Sequence, residues 1–307
     1  MDRIKIGLVG IGKIARDQHL PALRGSSVFA LGATTSHEGT VDGVRDWPSL
    51  ASLLDGDEDI GAVSFCTPPM GRYEQALAAI QASRHVMLEK PPALTVTQAT
   101  ALEKVAAARG VTLFAAWHSR EAAHVATARA WLANKAIRAV RITWREDIRR
   151  WHPGQDWILS EGGFGVFDPG INALSIATQI LPAPLVLIAA ELAIPENRAC
   201  PIAAKLAMSS GGARVDADFD FLQEGPQIWD IEIDTDAGTL RLQEGGRIVQ
   251  LPHSDPLVGN NGEYVALYEA FGALIRSGES DVDLQPLQLV TDALAIGERS
   301  SIEPFQF

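Results

Sequence analysis

The fold follows from residues 4–15, which read IKIGLVGIGKIA. The first half is apolar enough for a buried parallel strand, and the second half has the pattern Gly-x-Gly-x-x-Ala. Gly10 permits a tight turn, Gly12 lets a pyrophosphate approach the backbone, and Ala15 allows a following helix to pack closely on the sheet. The amides at the start of such a helix attract phosphate groups. This strand–turn–helix context predicts a dinucleotide site rather than an empty turn.

Further apolar runs alternate with helical patterns up to about residue 120. The runs occupy residues 28–34, 60–66, 85–88 and 111–116. The clearest helices between them cover residues 72–83 and 97–109, and Gly110 is a good C-cap for the second. Apolar strands separated by helices predict a doubly wound parallel sheet. We therefore expect an α/β fold with a dinucleotide-binding Rossmann domain at residues 1–119.

The remaining sequence, residues 120–307, predicts a different domain. Strands with alternating apolar and polar residues are predicted at 138–147, 201–208, 213–222, 227–235 and 239–251. Helices are predicted near 120–134, 168–181, 262–277 and 286–299. Tight glycine turns separate most of these strands, which predicts antiparallel pairing. We therefore expect an α+β domain on an open, mostly antiparallel sheet, for substrate binding and oligomerisation.

Composition excludes several classes of protein. The chain has 307 residues, 47% of them hydrophobic, and a formal net charge of −12, which disfavours nucleic-acid or anionic-membrane partners. The longest apolar stretch, residues 181–194, is too short to span a bilayer. No secretory signal is recognisable, and two cysteines make no disulfide framework, so we expect a cytoplasmic protein. Asp216, Asp218 and Asp220 alternate with apolar residues, which favours a strand's polar face over a metal site.

The loop after the second strand bears on which dinucleotide is bound. An acidic side chain near the end of that strand accepts a hydrogen bond from the ribose 2′-hydroxyl of NAD, whereas a basic side chain accommodates the 2′-phosphate of NADP. Residues 33–38 read ATTSHE, so no acid stands at the expected end of the strand, and Glu38 lies beyond it. Ser36 and His37 can face a 2′-phosphate, but no arginine stands beside them in the sequence. The sequence is therefore compatible with either NAD or NADP as the cofactor.

A lysine follows the fourth apolar run, in the sequence Glu89-Lys90-Pro91. Ligands of such sheets bind at the carboxyl ends of the strands, so Lys90 is expected at the nicotinamide end of the site. Either it acts as a catalytic base, or it is an ordinary solvated lysine at the end of a strand.

A second candidate acid lies in the second domain. Asp168 precedes Pro169, which predicts an N-cap followed by the first helical position. Asp168 and Asn172 are four residues apart and share one helix face. Catalysis and simple capping explain the aspartate equally well.

These motifs occur in the same order in the glucose–fructose oxidoreductase, inositol dehydrogenase and MocA-like family, which the chain resembles over essentially its whole length. Its longer strings are similar to the aldose 1-dehydrogenases of that family, which act on L-arabinose and D-galactose. They are residues 10–21 (GIGKIARDQHLP), 87–92 (MLEKPP), 117–120 (WHSR), 149–155 (RRWHPGQ) and 165–175 (GVFDPGINALS).

The resemblance implies oxidation of the C1 hydroxyl of a cyclic aldose to an aldonolactone, with hydride transfer to NAD or NADP. Lys90, Asp168 and Asn172 would surround the reacting carbon. Many family members have histidine where Asn172 stands. An asparagine cannot carry a proton at neutral pH. Lys90 or Asp168 would therefore take the proton of the C1 hydroxyl.

The remaining candidate residues form two sets. Those expected to contact the cofactor are Gly10, Gly12, Lys13, Ile14, Ser36, His37, Thr67, Pro68, Glu89 and Lys90. Those expected to contact the sugar are His118, Glu146, Trp151, His152, Asp168, Asn172 and Trp229. No metal site is expected. A homodimer or homotetramer built on the second sheet is implied by the resemblance.

Two other functions fit the same residues. One is a dehydrogenase for an inositol or another cyclic polyol. The other is a non-catalytic, sugar-responsive regulator that binds NAD(P).

Overall fold

The computed structural model describes residues 3–307. Its strands are β1 Ile4–Val9, β2 Phe29–Thr35, β3 Arg45–Asp46, β4 Ile60–Phe65, β5 His85–Glu89, β6 Leu113–Ala116, β7 Ile137–Arg145, β8 Leu185–Pro195, β9 Ala203–Ser210, β10 Ala213–Asp220, β11 Ile228–Thr235, β12 Gly238–Gln243, β13 Ile248–Gln250, β14 Leu257–Val258 and β15 Glu298–Ile302. Its α-helices are α1 Leu20–Arg24, α2 Leu50–Gly56, α3 Arg72–Gln81, α4 Val96–Arg109, α5 Val125–Leu132, α6 Ile148–Trp151, α7 Phe167–Ile180, α8 Glu263–Ser277 and α9 Gln285–Ile296. A π-helical turn, Ala15–His19, precedes α1.

The chain forms two compact units. The first runs to His118 and also includes Gly262–Leu284, and the second comprises Ser119–Asn261 and Gln285–Phe307. The predicted break at residue 119 lies next to this boundary. However, α8 belongs to the first unit, whereas the sequence pattern assigned it to the second domain. The reason is that its aromatic side chains are buried in the core of the first unit, beside strands β1 and β2.

The first unit is a six-stranded parallel sheet. Its strand order is β3-β2-β1-β4-β5-β6, and every neighbouring pair is parallel. The buried apolar residues on both faces explain why β1, β4 and β5 read as continuous apolar runs. The order of strands reverses between β1 and β4, which is where ligands of this fold bind. The predicted Rossmann-type domain is thus confirmed.

The second unit is a nine-stranded mixed sheet. Its strand order is β14-β13-β12-β11-β7-β10-β9-β8-β15. The neighbours are antiparallel except for the pairs β7–β10 and β8–β15, which are parallel. This confirms the expected open, mostly antiparallel sheet. The apolar stretch at 181–194, which was not assigned to a strand, forms most of β8.

The alternating acids of β10 lie on a polar face of this sheet. Asp218 forms an ion pair with Arg145 of the neighbouring strand β7. Asp216 pairs with Arg214 at 2.7 Å. The third acid, Asp220, accepts a hydrogen bond from the backbone N–H of Leu222 at 2.7 Å.

Helix α7 begins two residues earlier than the predicted cap at Asp168 implies. Its N-cap is Val166, so Asp168, the predicted N-cap, lies inside the first turn. Packing decides this, because Phe167 is fully buried and its ring lies 5.9 Å from that of Phe219. A carboxylate in the first turn still interacts favourably with the helix dipole.

Helix α4 ends as predicted, since Gly110 adopts the left-handed conformation at its C-cap. Among residues 3–307, no helix combines the length and apolarity required to cross a membrane.

Candidate active site

The glycine turn has the geometry of a phosphate cradle. Gly10 has φ +87°, and a Cβ atom there would lie 2.8 Å from Thr67 Cγ2. A Cβ atom on Gly12 would lie 2.7 Å from Glu38 Oε2. Gly10 thus has both a positive φ and no space for a side chain, whereas the contact at Gly12 is only with the end of the exposed Glu38 side chain. The bare backbone of the turn fits a dinucleotide pyrophosphate.

The loop after β2 is attached to this turn. The Ser36 hydroxyl oxygen accepts hydrogen bonds from the backbone N–H groups of Ile11 and Glu38, both at 3.0 Å. Arg16 donates to the Glu38 carbonyl oxygen at 3.4 Å. The structure thus brings an arginine to this loop, which the sequence did not show. An acid and a cation both stand where the adenosine ribose of a dinucleotide is bound in this fold.

The other predicted cofactor residues follow the same sheet edge. Lys13 is exposed on the turn and forms an ion pair with Asp17. Thr67 and Pro68 come just after β4, and Pro68 is exposed. Ile14 is half-buried at the start of the helical turn.

Lys90 comes directly after β5, at the carboxyl edge of the sheet, and is half-buried. Its backbone N–H donates to Glu89 Oε2 at 3.0 Å. The peptide bond between Lys90 and Pro91 is cis. The backbone geometry at this position is therefore set by Glu89 rather than by solvent.

Glu89, a predicted cofactor residue, makes several contacts within the protein. It is 4% exposed, and one of its carboxylate oxygens accepts from Tyr264 at 2.7 Å and lies 2.9 Å from His19 Nε2. The other oxygen accepts from the Lys90 backbone. Protein donors therefore reach both oxygens of Glu89 inside the first unit, and its contact with the cofactor stays a prediction.

His118 follows β6 at the same edge of the sheet. Its ring stacks on that of Tyr264 with centroids 5.3 Å apart. Burial lowers the pKa of His118, and the carboxylate of Glu89 only partly opposes that effect. The imidazole is therefore favoured in its neutral form, which can both donate and accept a hydrogen bond.

The second unit gathers several predicted sugar-binding residues. Glu146, which follows β7, is almost fully buried. One of its carboxylate oxygens lies 2.9 Å from His152 Nε2, and the other accepts from the Trp229 indole N–H at 2.8 Å. His152 Nδ1 lies 4.0 Å from an oxygen of Asp168. Within the second unit, the imidazole of His152 thus lies between two carboxylates, those of Glu146 and Asp168.

Aromatic rings border this group. The ring of Trp229 lies 4.9 Å from that of Trp151 and 5.8 Å from that of Trp144. Apolar ring faces beside hydrogen-bonding groups are typical of small-molecule sites with several polar contacts. Asn172 lies one helical turn after Asp168 on α7 and is half-buried.

The structure therefore groups the candidates by unit. The first unit holds the turn, Lys90 and His118, and the second holds Glu146 with its partners. The joint action of Lys90 and Asp168 on one carbon stays a prediction. Within residues 3–307, no set of three or more His, Cys, Asp or Glu side chains is arranged to hold a metal ion.

Sequence reasoning missed four polar residues of the first unit: His19, Arg72, Tyr264 and Tyr268. All four are buried. A signal existed for His19, which lies inside the family-like string at residues 10–21. The two tyrosines are four apart on α8, but such spacing is equally typical of a core helix.

Comparison with known proteins agrees with this architecture. Residues 4–117 match the model of an oxidoreductase family with an NAD-binding Rossmann fold. The galactose 1-dehydrogenase of Pseudomonas fluorescens is 43% identical over 99% of both chains. The crystal structure of a D-galactose 1-dehydrogenase from Rhizobium etli is 46% identical, with a TM-score of 0.94 over 100% of this chain and 99% of that one.

A 3-ketoreductase from Actinomadura kijaniata shares the fold at 20% identity, with a TM-score of 0.85 over 98% of this chain and 100% of that one. The phosphate cradle, the strand order and the full-length similarity lead to one conclusion: the chain belongs to the glucose–fructose oxidoreductase, inositol dehydrogenase and MocA-like family of NAD(P)-dependent oxidoreductases.

Proposed function

We propose that the protein is an aldose 1-dehydrogenase that oxidises the C1 hydroxyl of a cyclic sugar to the aldonolactone. The substrates are D-galactose, L-arabinose and D-fucose, which share the ring configuration from C2 to C4. The observation that carries the proposal is the group of Glu146, His152 and Trp229 beside Asp168, because it combines hydrogen-bonding side chains with an aromatic surface. The full-length similarity to galactose 1-dehydrogenases supports it.

The cofactor supplies hydride transfer: when bound, its nicotinamide ring accepts the hydride from C1. Its pyrophosphate would be held by the backbone of the turn at Gly10 and Gly12. Its remaining contacts are proposed for Lys13, Ile14, Ser36, His37, Thr67 and Pro68. NAD and NADP both fit this chain.

The proton of the C1 hydroxyl goes to the Lys90 amine or to the Asp168 carboxylate. As this O–H bond breaks, the C1–O bond becomes the carbonyl of the lactone, and C1 loses its hydrogen as hydride. Asn172 carries no proton, so its amide contributes a donor and an acceptor for a neighbouring sugar hydroxyl. His118, at the same edge of the first sheet as Lys90, likewise donates a hydrogen bond to a sugar hydroxyl or accepts one from it.

Glu146 contributes to sugar binding through its neighbours. Its side chain is 3% exposed, whereas that of His152 is 18% exposed. The carboxylate therefore fixes the imidazole and the Trp229 indole, and these, with Trp151, meet the sugar. The carboxylate also keeps a proton on Nε2 of His152, which leaves Nδ1 available to a substrate hydroxyl.

Initial rates test this function. D-galactose, L-arabinose, D-fucose and myo-inositol are each assayed with NAD and with NADP, and the lactone is identified by mass spectrometry. Turnover of the three aldoses is the expected result. Turnover of myo-inositol alone would establish a polyol dehydrogenase instead. If neither cofactor is reduced over a broad sugar panel although both bind, the protein is a regulator.

We also propose a cytoplasmic homodimer or homotetramer. The proposal of self-association is supported by the family resemblance and by the broad polar face of the second sheet, on which arginines and acids alternate. Cys66 and Cys200, both buried as free thiols, are compatible with a reducing compartment.

A further inference from the structure

Buried polar side chains surround Glu89, the residue just before Lys90. We call His19, Glu89, Tyr264 and Tyr268 the Glu89 cluster. His19 is fully buried, with Nε2 2.9 Å from a Glu89 oxygen and Nδ1 2.7 Å from the Tyr268 hydroxyl. Tyr264 donates to the same Glu89 oxygen at 2.7 Å. The reaction described above uses none of these contacts.

The cluster continues into the backbone of Lys90. The second oxygen of Glu89 accepts the Lys90 N–H at 3.0 Å. On the other side, the buried guanidinium of Arg72 donates to the carbonyl oxygens of Glu89 and, at 2.5 Å, of Pro91. Charged groups thus hold both the N–H and the carbonyl of the Glu89–Lys90 peptide unit, and also the carbonyl of Pro91.

The pKa shifts of Glu89 and His19 both favour the charged forms of the pair. Burial would raise the pKa of the Glu89 carboxyl, but His19 and Tyr264 hold it at about 2. Burial would lower the pKa of His19, but Cys66, Tyr268 and Glu89 together raise it well above its ordinary value. In this arrangement Nε2 of His19 donates to the Glu89 carboxylate, and Nδ1 shares a hydrogen bond with the Tyr268 hydroxyl.

We propose that His19 is a positioning residue for Lys90. Through its hydrogen bond to the Glu89 carboxylate, it holds that carboxylate on the Lys90 N–H and so fixes the backbone position from which the lysine side chain extends. The inference rests on the proposed function only where it concerns turnover.

Two further observations favour positioning over simple packing. First, a buried ion pair is a poor way to gain stability, since apolar side chains of similar volume often do as well or better. Second, His19 ends a π-helical turn that directly follows the glycine turn, and such turns occur frequently at functional sites. The pair therefore connects the phosphate cradle to the end of β5.

The test compares His19→Gln, Glu89→Gln and the double variant. The matched control is His85→Gln, at the other end of β5, where the histidine is half-buried. For His19→Gln we expect kcat to fall at least tenfold while the Kd for NAD(P) stays within threefold. Hydrogen exchange of the peptide containing Lys90 should accelerate at least tenfold, with β1 peptides unchanged. The double variant should be no worse than the poorer single variant.

Three results would overturn the proposal: a kcat within threefold of wild type, independent losses that multiply in the double variant, or unchanged exchange at Lys90. If His19→Gln does not fold, Tyr268→Phe replaces it, since only the hydroxyl against Nδ1 is lost. A smaller loss of kcat with the same exchange pattern is then expected, and no change in either overturns the proposal. If the wild type oxidises no sugar, the proposed function fails, but exchange at Lys90 still decides the role of His19.

Discussion

Changing Glu89 to glutamine should alter how the stability of the first unit depends on pH. The folded pKa of Glu89 is about 2, against 4.5 for an ordinary glutamate. The difference corresponds to about 3 kcal/mol of stability from the ionised carboxylate at neutral pH. Because the folded pKa is depressed, this contribution is present above pH ~4.5 and is lost as pH falls toward 2. The wild type should lose about 2 kcal/mol relative to Glu89→Gln between pH 6 and pH 3.

The partner of Glu89 sets the alkaline limit of the same stabilisation. The pKa of His19 is raised in the folded state, so its contribution is complete below about pH 6.5 and is lost as pH rises through the folded value. The pKa shifts of Glu89 and His19 describe one attraction seen from two sides, so their free energies are not added. Stabilisation by the pair is therefore greatest between about pH 4.5 and 6.5.

Urea unfolding measured through Cys66 isolates the first unit. Cys66 is buried in that unit's core, and in a Cys200→Ser background it reacts with 4,4′-dithiodipyridine, a thiol reagent active in acid, only when the unit opens. Glu103→Gln, on the exposed side of α4, is the matched control for the loss of one charge. If the stability difference between wild type and Glu89→Gln were the same at pH 3 and pH 6, the ion-pair reasoning would be refuted.

Other substitutions test the site and the fold. Lys90→Ala should reduce kcat at least 10³-fold, as expected when a base or alkoxide-stabilising group is removed, while isothermal titration still detects cofactor binding. Glu38→Gln should raise the ratio of kcat/KM with NADP to that with NAD about tenfold, because a carboxylate beside the turn repels a 2′-phosphate; an unchanged ratio at low salt excludes this role. Gly165→Ala should destabilise the second unit by about 3 kcal/mol or more, since φ is +56° and the new Cβ would lie 2.2 Å from the Pro201 carbonyl oxygen. Gly154→Ala, with φ +71° and no atom within 4 Å, should cost only about 1 kcal/mol. Both variants are compared by urea unfolding followed at Cys200, the buried thiol of the second unit, in a Cys66→Ser background.

The first sheet could be predicted because its strands are buried on both faces. β1, β4 and β5 are continuous apolar runs with clear ends, so their positions follow from local sequence. The edge strands could not be predicted in this way. β15 is mostly exposed and polar, and β3 has two residues, so backbone pairing alone defines them.

The candidate site likewise contains parts that local sequence predicts and parts that it does not. The turn at Gly10 and Gly12 is a local motif, and its conformation could be predicted from the residues that form it. The partners of Glu89 could not, because Tyr264 lies 175 residues away and reaches the acid only when α8 returns to the first unit. Local pattern therefore suggested a ribose contact for a carboxylate whose surroundings are determined by tertiary structure.

The asparagine at position 172 removes a proton carrier that many family members have, but Asp168 still has an imidazole nearby. His152 Nδ1 lies 4.0 Å from Asp168, and Nε2 is directed at the Glu146 carboxylate. Because that carboxylate accepts a hydrogen bond, Nε2 of His152 carries a proton. Asp168 thus has beside it an imidazole whose position is fixed by Glu146. Substitution at 172 therefore changes which histidine neighbours the acid rather than leaving the acid without one.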